Sequence, residues 1–99
     1  PGTGCKIYEV CGEKLAILNL MGHYSMPYTD NAFRCASETI DKLNADNIKN
    51  IFVDFHAEAT SEKRGMMMLL QGRVSGLIGT HTHVSTDDFQ IVKGTAYMT

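Results

Sequence analysis

The chain has 99 residues, enough for one small domain. Its formal net charge of −2 gives no reason to expect nucleic acid or an anionic membrane surface as a partner. No apolar run approaches the roughly 18 residues of a transmembrane helix, and no signal-peptide pattern opens the chain. The three cysteines are odd in number and lack metal-type spacing, which predicts reduced thiols in a cytoplasmic protein.

The first half of the chain predicts two strands followed by a helix. Residues 6–11 and 13–21 are rich in apolar side chains and flank Gly12, which predicts two strands joined by a tight turn. Residues 22–29 mix Gly, Ser, Pro and Tyr, so we expect a loop there. Asp30 is a good N-cap residue, and we predict a helix from it to about residue 45.

The second half predicts alternating strands and helices. The apolar run 51–55 predicts a strand, and a helix is expected from about 62 to 71. We expect the hydroxyls of residues 60–61 to cap that helix, and Gly72 to end it. Further strands are predicted over residues 74–79, 90–92 and 95–98. This alternation predicts an α/β fold with a parallel sheet covered by helices.

Three of the four histidines come at the ends of predicted strands. His56 follows the run 51–55, and His81 and His83 follow the strand 74–79. Ligands bind at the carboxyl edge of such sheets, and imidazole suits zinc, iron, nickel and copper ions. In extended backbone the side chains of His81 and His83 would point the same way. The pattern predicts a metal site shared by these three histidines, and its alternative is ordinary surface histidines.

Two further polar residues have open interpretations. Asp54 lies two residues before His56 on the same strand face, so it could orient that imidazole from behind. The alternative is a buried carboxylate paired with backbone or with a lysine. His23 lies in the tyrosine-rich loop without a partner nearby in sequence, and we predict a structural or exposed role for it.

The residues around the histidines resemble a specific family, the YmdB-like bacterial metallophosphoesterases. The similarity extends over nearly the whole chain and is carried by residues 15–22, 54–63, 72–75, 79–84 and 93–97. The resemblance implies a calcineurin-like phosphoesterase fold, an α/β sandwich of two sheets flanked by helices. It also implies that residues 1–99 are a single partial domain, the C-terminal portion of that sandwich. The family's aspartate, glutamate and asparagine ligands and its general-acid histidine lie in an N-terminal half that this sequence does not contain.

The resemblance also implies an activity. Such enzymes hold two metal ions, iron and/or manganese with zinc as an alternative, and hydrolyse phosphodiesters by a hydroxide that the two ions activate. The expected substrate is a small phosphodiester, in particular a cyclic nucleotide of the 2′,3′ type. By motif, His56 and His81 match ligands of one ion, and His83 matches a ligand of the other.

Two other hypotheses stay open. One is a non-catalytic half-domain that needs its missing N-terminal half or self-association into a homo-oligomer, because truncation would leave sheet edges exposed. The other is a mononuclear zinc hydrolase in which three histidines and a water complete one site.

Overall fold

One six-stranded sheet with two helices on one face makes up the computed structural model, which describes residues 3–99. The elements follow in chain order: β1 (Cys5–Val10), β2 (Glu13–Met21), α1 (Ala32–Ala45), β3 (Asn50–His56), α2 (Thr60–Leu70), β4 (Gly76–Thr80), β5 (Gln90–Val92) and β6 (Thr95–Met98). Every predicted strand and helix is present, with bounds that differ from the predicted ones by no more than two residues.

The strand order in the sheet is β1-β2-β3-β4-β6-β5. The four central strands β2, β3, β4 and β6 run parallel, and β1 and β5 pair antiparallel at the two edges. The prediction of an α/β fold is therefore confirmed. Within residues 3–99 there is a single sheet.

One face of the sheet forms the hydrophobic core beneath the helices. Leu18, Val53, Leu77 and Tyr97 lie side by side across the four parallel strands, and each is at most 1% exposed. Burying a side chain of this size stabilises the fold by roughly 1.5–3 kcal/mol. Because side chains alternate along a strand, this apolar row forces the intervening residues onto the opposite face, which is more open.

The N-terminus of α1 differs from the prediction by one residue. The cap is Asn31 and not Asp30, since Oδ1 of Asn31 accepts hydrogen bonds from the backbone N–H groups of Phe33 and Arg34, at 3.0 and 3.2 Å. Aspartate and asparagine cap helices about equally well, so adjacent candidates cannot be separated by residue type.

Of the two predictions about the ends of α2, the one for the N-terminus is wrong and the one for the C-terminus is confirmed. Its N-cap is Ala59, and no side chain makes a capping hydrogen bond there, so the predicted capping by the hydroxyls of residues 60–61 is wrong. The helix begins at Thr60, two residues earlier than predicted, and takes up those hydroxyl residues as its first turn. Gly72 follows the C-terminus with a φ of +81°, the left-handed conformation that glycine adopts readily.

None of the helices formed by residues 3–99 is long and apolar enough to cross a membrane. The three cysteines are free thiols, as predicted. Burial raises the pKa of the Cys5 thiol, and the nearby Cys35 raises it further.

Two glycines should respond in opposite ways to substitution by alanine. A Cβ on Gly22 would lie 2.8 Å from the Cβ of Ala57 and 2.8 Å from Oε1 of Glu62, so Gly22→Ala should lower the free energy of unfolding by about 1–3 kcal/mol. Gly65 lies inside α2, and the nearest atom to its added Cβ is 3.5 Å away on the ring of Phe33. Gly65→Ala should therefore raise that free energy, by up to about 1 kcal/mol. Urea unfolding of both variants tests this, and a Gly22→Ala protein as stable as the wild type would contradict it.

Candidate metal centre

The register of the parallel strands brings the carboxyl ends of β2, β3 and β4 to one level. Met21, His56 and Thr80 are direct neighbours across these three strands, and each is the last residue of its strand. His81 follows immediately after Thr80, so the loop after β4 begins beside the ring of His56. The sheet edge predicted to carry the site is therefore the edge at which the two histidines meet.

His56 and His81 are in direct contact. Nε2 of His56 lies 3.2 Å from Nδ1 of His81, and the two ring centroids are 4.9 Å apart at an interplanar angle of 88°. Both rings are partly buried. The edge-on arrangement aims one nitrogen of each ring into the same small space.

A chain of side-chain hydrogen bonds supports His56 from behind. Its Nδ1 lies 3.1 Å from the hydroxyl oxygen of Thr80, and that hydroxyl donates to Oδ1 of Asp54 at 2.8 Å. The other carboxylate oxygen of Asp54 accepts from the amide of Asn19 at 3.1 Å. Asp54 therefore does support His56, but through Thr80, and its partners are neither backbone groups nor a lysine.

His81 is held from its far side by a carboxylate. Its Nε2 lies 2.8 Å from Oε2 of Glu58, which follows β3 by two residues. The Glu58 side chain is 42% exposed, so this pair contributes orientation more than stability. Neither Glu58 nor Thr80 is among the site residues predicted from the sequence. Thr80 could have been found from the strand register, and Glu58 lies inside the stretch that carries the family resemblance.

His83 does not join the pair. It lines the same open cavity of about 480 Å³ as His56 and His81, but it is exposed. The extended backbone that would point His81 and His83 the same way is not present, because β4 ends at Thr80 and φ is +112° at His81 and +58° at His83. Among residues 3–99, no three His, Cys, Asp or Glu side chains form a group that could hold a metal ion.

Conformations with positive φ are costly for residues other than glycine, by roughly 1–3 kcal/mol, and they concentrate at functional sites. Two such residues within three positions, His81 and His83, mark the loop after β4 as a segment held in place by its contacts. The contacts of His81 with His56 and Glu58 supply that restraint.

The facing nitrogens of His56 and His81 are separated by the distance expected between two ligands of one cation. Imidazole nitrogens bind zinc and similar ions at about 2.0–2.1 Å, so two of them in tetrahedral or octahedral geometry lie about 2.9–3.4 Å apart. The observed 3.2 Å between Nε2 of His56 and Nδ1 of His81 falls in this range. The pair therefore fits two positions of one ion, whereas the mononuclear zinc hypothesis requires three histidines.

His23 lies in the loop after β2 and has structural partners. Its Nε2 lies 3.0 Å from the backbone carbonyl of Asp30, and its ring stacks on Tyr28. The backbone N–H groups of His23 and Tyr24 both donate to the carboxylate of Glu62, at 2.8 and 3.3 Å. The structural role predicted for His23 agrees with these contacts.

Comparison with known proteins identifies the family. The family described as YmdB-like protein matches residues 1–99. The chain is 46% identical over 100 residues to the 2′,3′-cyclic-nucleotide 2′-phosphodiesterase of Bacillus subtilis, and the match covers 100% of this chain and 38% of that relative.

Two solved structures share the fold. A hypothetical protein from Thermus thermophilus superposes with a TM-score of 0.90 at 40% identity, over 100% of this chain and 38% of the other. A novel phosphatase from Mycoplasma pneumoniae superposes with a TM-score of 0.87 at 40% identity, over 98% of this chain and 34% of the other.

The sheet, the helices and the edge site thus define an α/β domain of the kind found in these relatives. The chain belongs to the YmdB-like protein family, which confirms the resemblance that the sequence motifs indicate. It spans 38% of the length of its Bacillus subtilis relative.

The Glu62 carboxylate should control the mobility of the loop after β2. Glu62→Ala removes the acceptor for the N–H groups of His23 and Tyr24, so their amide hydrogen exchange should accelerate at least about tenfold, as expected for loss of roughly 1.4 kcal/mol of protection. Glu38→Ala, on the exposed face of α1, is the matched control and should leave both amides unchanged. Equal exchange in the two variants, measured by NMR, would contradict this role of Glu62.

Proposed function

We propose that the protein is a metal-dependent phosphoesterase that hydrolyses phosphodiesters, with 2′,3′-cyclic nucleotides as its substrates. In this proposal His56 and His81 hold one ion together, and His83 contributes to a second. Iron and manganese are the proposed metals, with zinc as the alternative. Family membership and the name of the Bacillus subtilis relative support the reaction class.

The observation that carries the proposal is the 3.2 Å separation of the two facing ring nitrogens. Each ring uses its other nitrogen for a protein partner, Thr80 for His56 and Glu58 for His81. Histidines that bind metals commonly have such a partner on the nitrogen that does not bind the ion. The pair therefore has the support that a metal ligand needs as well as the spacing.

The residues present suit a site for an anionic substrate. Neutral imidazoles bind a cation without cancelling its charge, so the site keeps a positive potential toward phosphate. A bound ion would act as a Lewis acid that offsets charge developing on the phosphoryl oxygens. The cavity of about 480 Å³ beside the pair is within the range of small-molecule sites, and the hydroxyls of Thr80, Thr82 and Ser85 line it.

Substitution of the pair tests the proposal. In the protein expressed from its whole gene, His56→Ala and His81→Ala should each lose bound metal, measured by mass spectrometry of the elements, and lose hydrolysis of 2′,3′-cyclic AMP together with it. Each removes one ligand of the same ion, so the affinity for that ion should fall. His23→Ala removes an imidazole bonded to a backbone carbonyl and should keep its metal.

Full turnover with an unchanged metal content in His56→Ala or His81→Ala would contradict the metal proposal. A parallel assay with p-nitrophenyl phosphate distinguishes the reaction classes, since one structural relative is named a phosphatase. Hydrolysis of this monoester without hydrolysis of the cyclic diester would overturn the proposed substrate class.

A further inference from the structure

The hydroxyl of Thr80 has a single hydrogen, and the structure shows where it goes. It donates to Oδ1 of Asp54 at 2.8 Å, and an ionised carboxylate can only accept. The contact of 3.1 Å between the Thr80 oxygen and Nδ1 of His56 must then be donated by the imidazole. His56 therefore carries its hydrogen on Nδ1, and its Nε2 is left with a lone pair.

The hydrogen position on His81 is set in the same way by Glu58. Its Nε2 lies 2.8 Å from the Glu58 carboxylate and donates to it, so a neutral His81 has its lone pair on Nδ1. The two lone pairs then face each other across 3.2 Å, where they repel unless a cation or a proton lies between them. The hydrogen-bond partners thus leave this space to a cation or to a proton that the two nitrogens share.

We propose that Thr80, held by Asp54 and Asn19, is a positioning residue that makes His56 present an unprotonated Nε2 to the cation. This inference rests on the proposed function and adds the residues that set the ligand's tautomer and orientation. Asn19 donates to the second oxygen of Asp54 at 3.1 Å, which turns the carboxylate toward Thr80.

The sheet sets the positions of these hydrogen-bonded side chains. Thr80 is the direct neighbour of His56, and Asp54 is the direct neighbour of Asn19, so all four side chains lie on the open face of three adjacent strands. Rigid strand backbone, and not a loop, therefore sets the distances among them. Supporting residues of this kind typically change metal affinity by about 10–100-fold when they are removed.

Removal of the Thr80 hydroxyl tests the proposal. Thr80→Val replaces the hydroxyl by a methyl group and keeps the shape and the strand preference of the side chain, and Thr80→Ala removes the hydroxyl together with the γ-methyl group. Both should weaken Mn²⁺ binding by about 10–100-fold, measured by calorimetry on the protein expressed from its whole gene. Thr80→Ser keeps the hydroxyl and should bind Mn²⁺ within about threefold of the wild type.

A second readout does not depend on metal. Long-range ¹H–¹⁵N spectra of the metal-free protein should show the Nδ1–H tautomer of His56 in the wild type and in Thr80→Ser, and its loss in Thr80→Val. A residue that only maintained the fold would not move this tautomer in a folded variant.

The outcomes separate the two proposals. Wild-type Mn²⁺ affinity and an unchanged His56 tautomer in Thr80→Val or Thr80→Ala would overturn the role of Thr80 and leave the proposed function intact. Equal losses in Thr80→Ser and Thr80→Val would also overturn it, because the hydroxyl would then not be the cause. Failure of the wild type to bind Mn²⁺ would count against the proposed function, and the metal-free spectra would still decide the role of Thr80.

Discussion

The register of β3 between β2 and β4 is the constraint on which the candidate site depends. It makes Leu18, Val53 and Leu77 neighbours on the helix-covered face, and it makes His56 a neighbour of Thr80 on the other. A shift of one residue would turn the apolar row to the open face and bury the polar one. The energy of the core therefore also fixes the position of His56, even though the core residues do not touch the site.

The site has a simple electrostatic order along the sheet edge. A carboxylate stands at each end, Asp54 behind His56 through Thr80, and Glu58 behind His81. The two imidazoles lie between them, with their inner nitrogens 3.2 Å apart. Glu58 accepts from the outer nitrogen of His81, and the Thr80 hydroxyl that donates to Asp54 accepts from the outer nitrogen of His56. Partners of this kind fix the orientation of a histidine that binds a metal. The two carboxylates also bring negative charge near a cation without occupying its coordination positions.

Much of the fold could be predicted from the sequence, because the central strands and α1 have strong apolar patterns. The run 51–55 and the face of α1 that carries Ala36, Ile40 and Leu43 are examples: residues 51, 53 and 55 of the run and these three helix residues are all buried. The helix caps were less predictable. Asp30 and Asn31 are adjacent and equally suitable, and α2 begins at a position without any side-chain cap.

The site could be predicted only in part. The position of His56 and His81 at one sheet edge follows from strand ends, which the apolar runs mark. The exposure of His83 depends on positive φ angles in the loop after β4, and residue types other than glycine do not signal such angles. The roles of Thr80 and Glu58 depend on which strands are neighbours, information that comes from the whole sheet and not from any local pattern.

The central claim is that His56 and His81 bind one ion through their facing nitrogens. The most direct measurement is anomalous X-ray diffraction at the manganese edge, from crystals of the protein expressed from its whole gene and grown with Mn²⁺. We expect an anomalous peak about 2.0–2.2 Å from both Nε2 of His56 and Nδ1 of His81. Manganese bound at another position, with no anomalous peak between the two rings, would contradict the account.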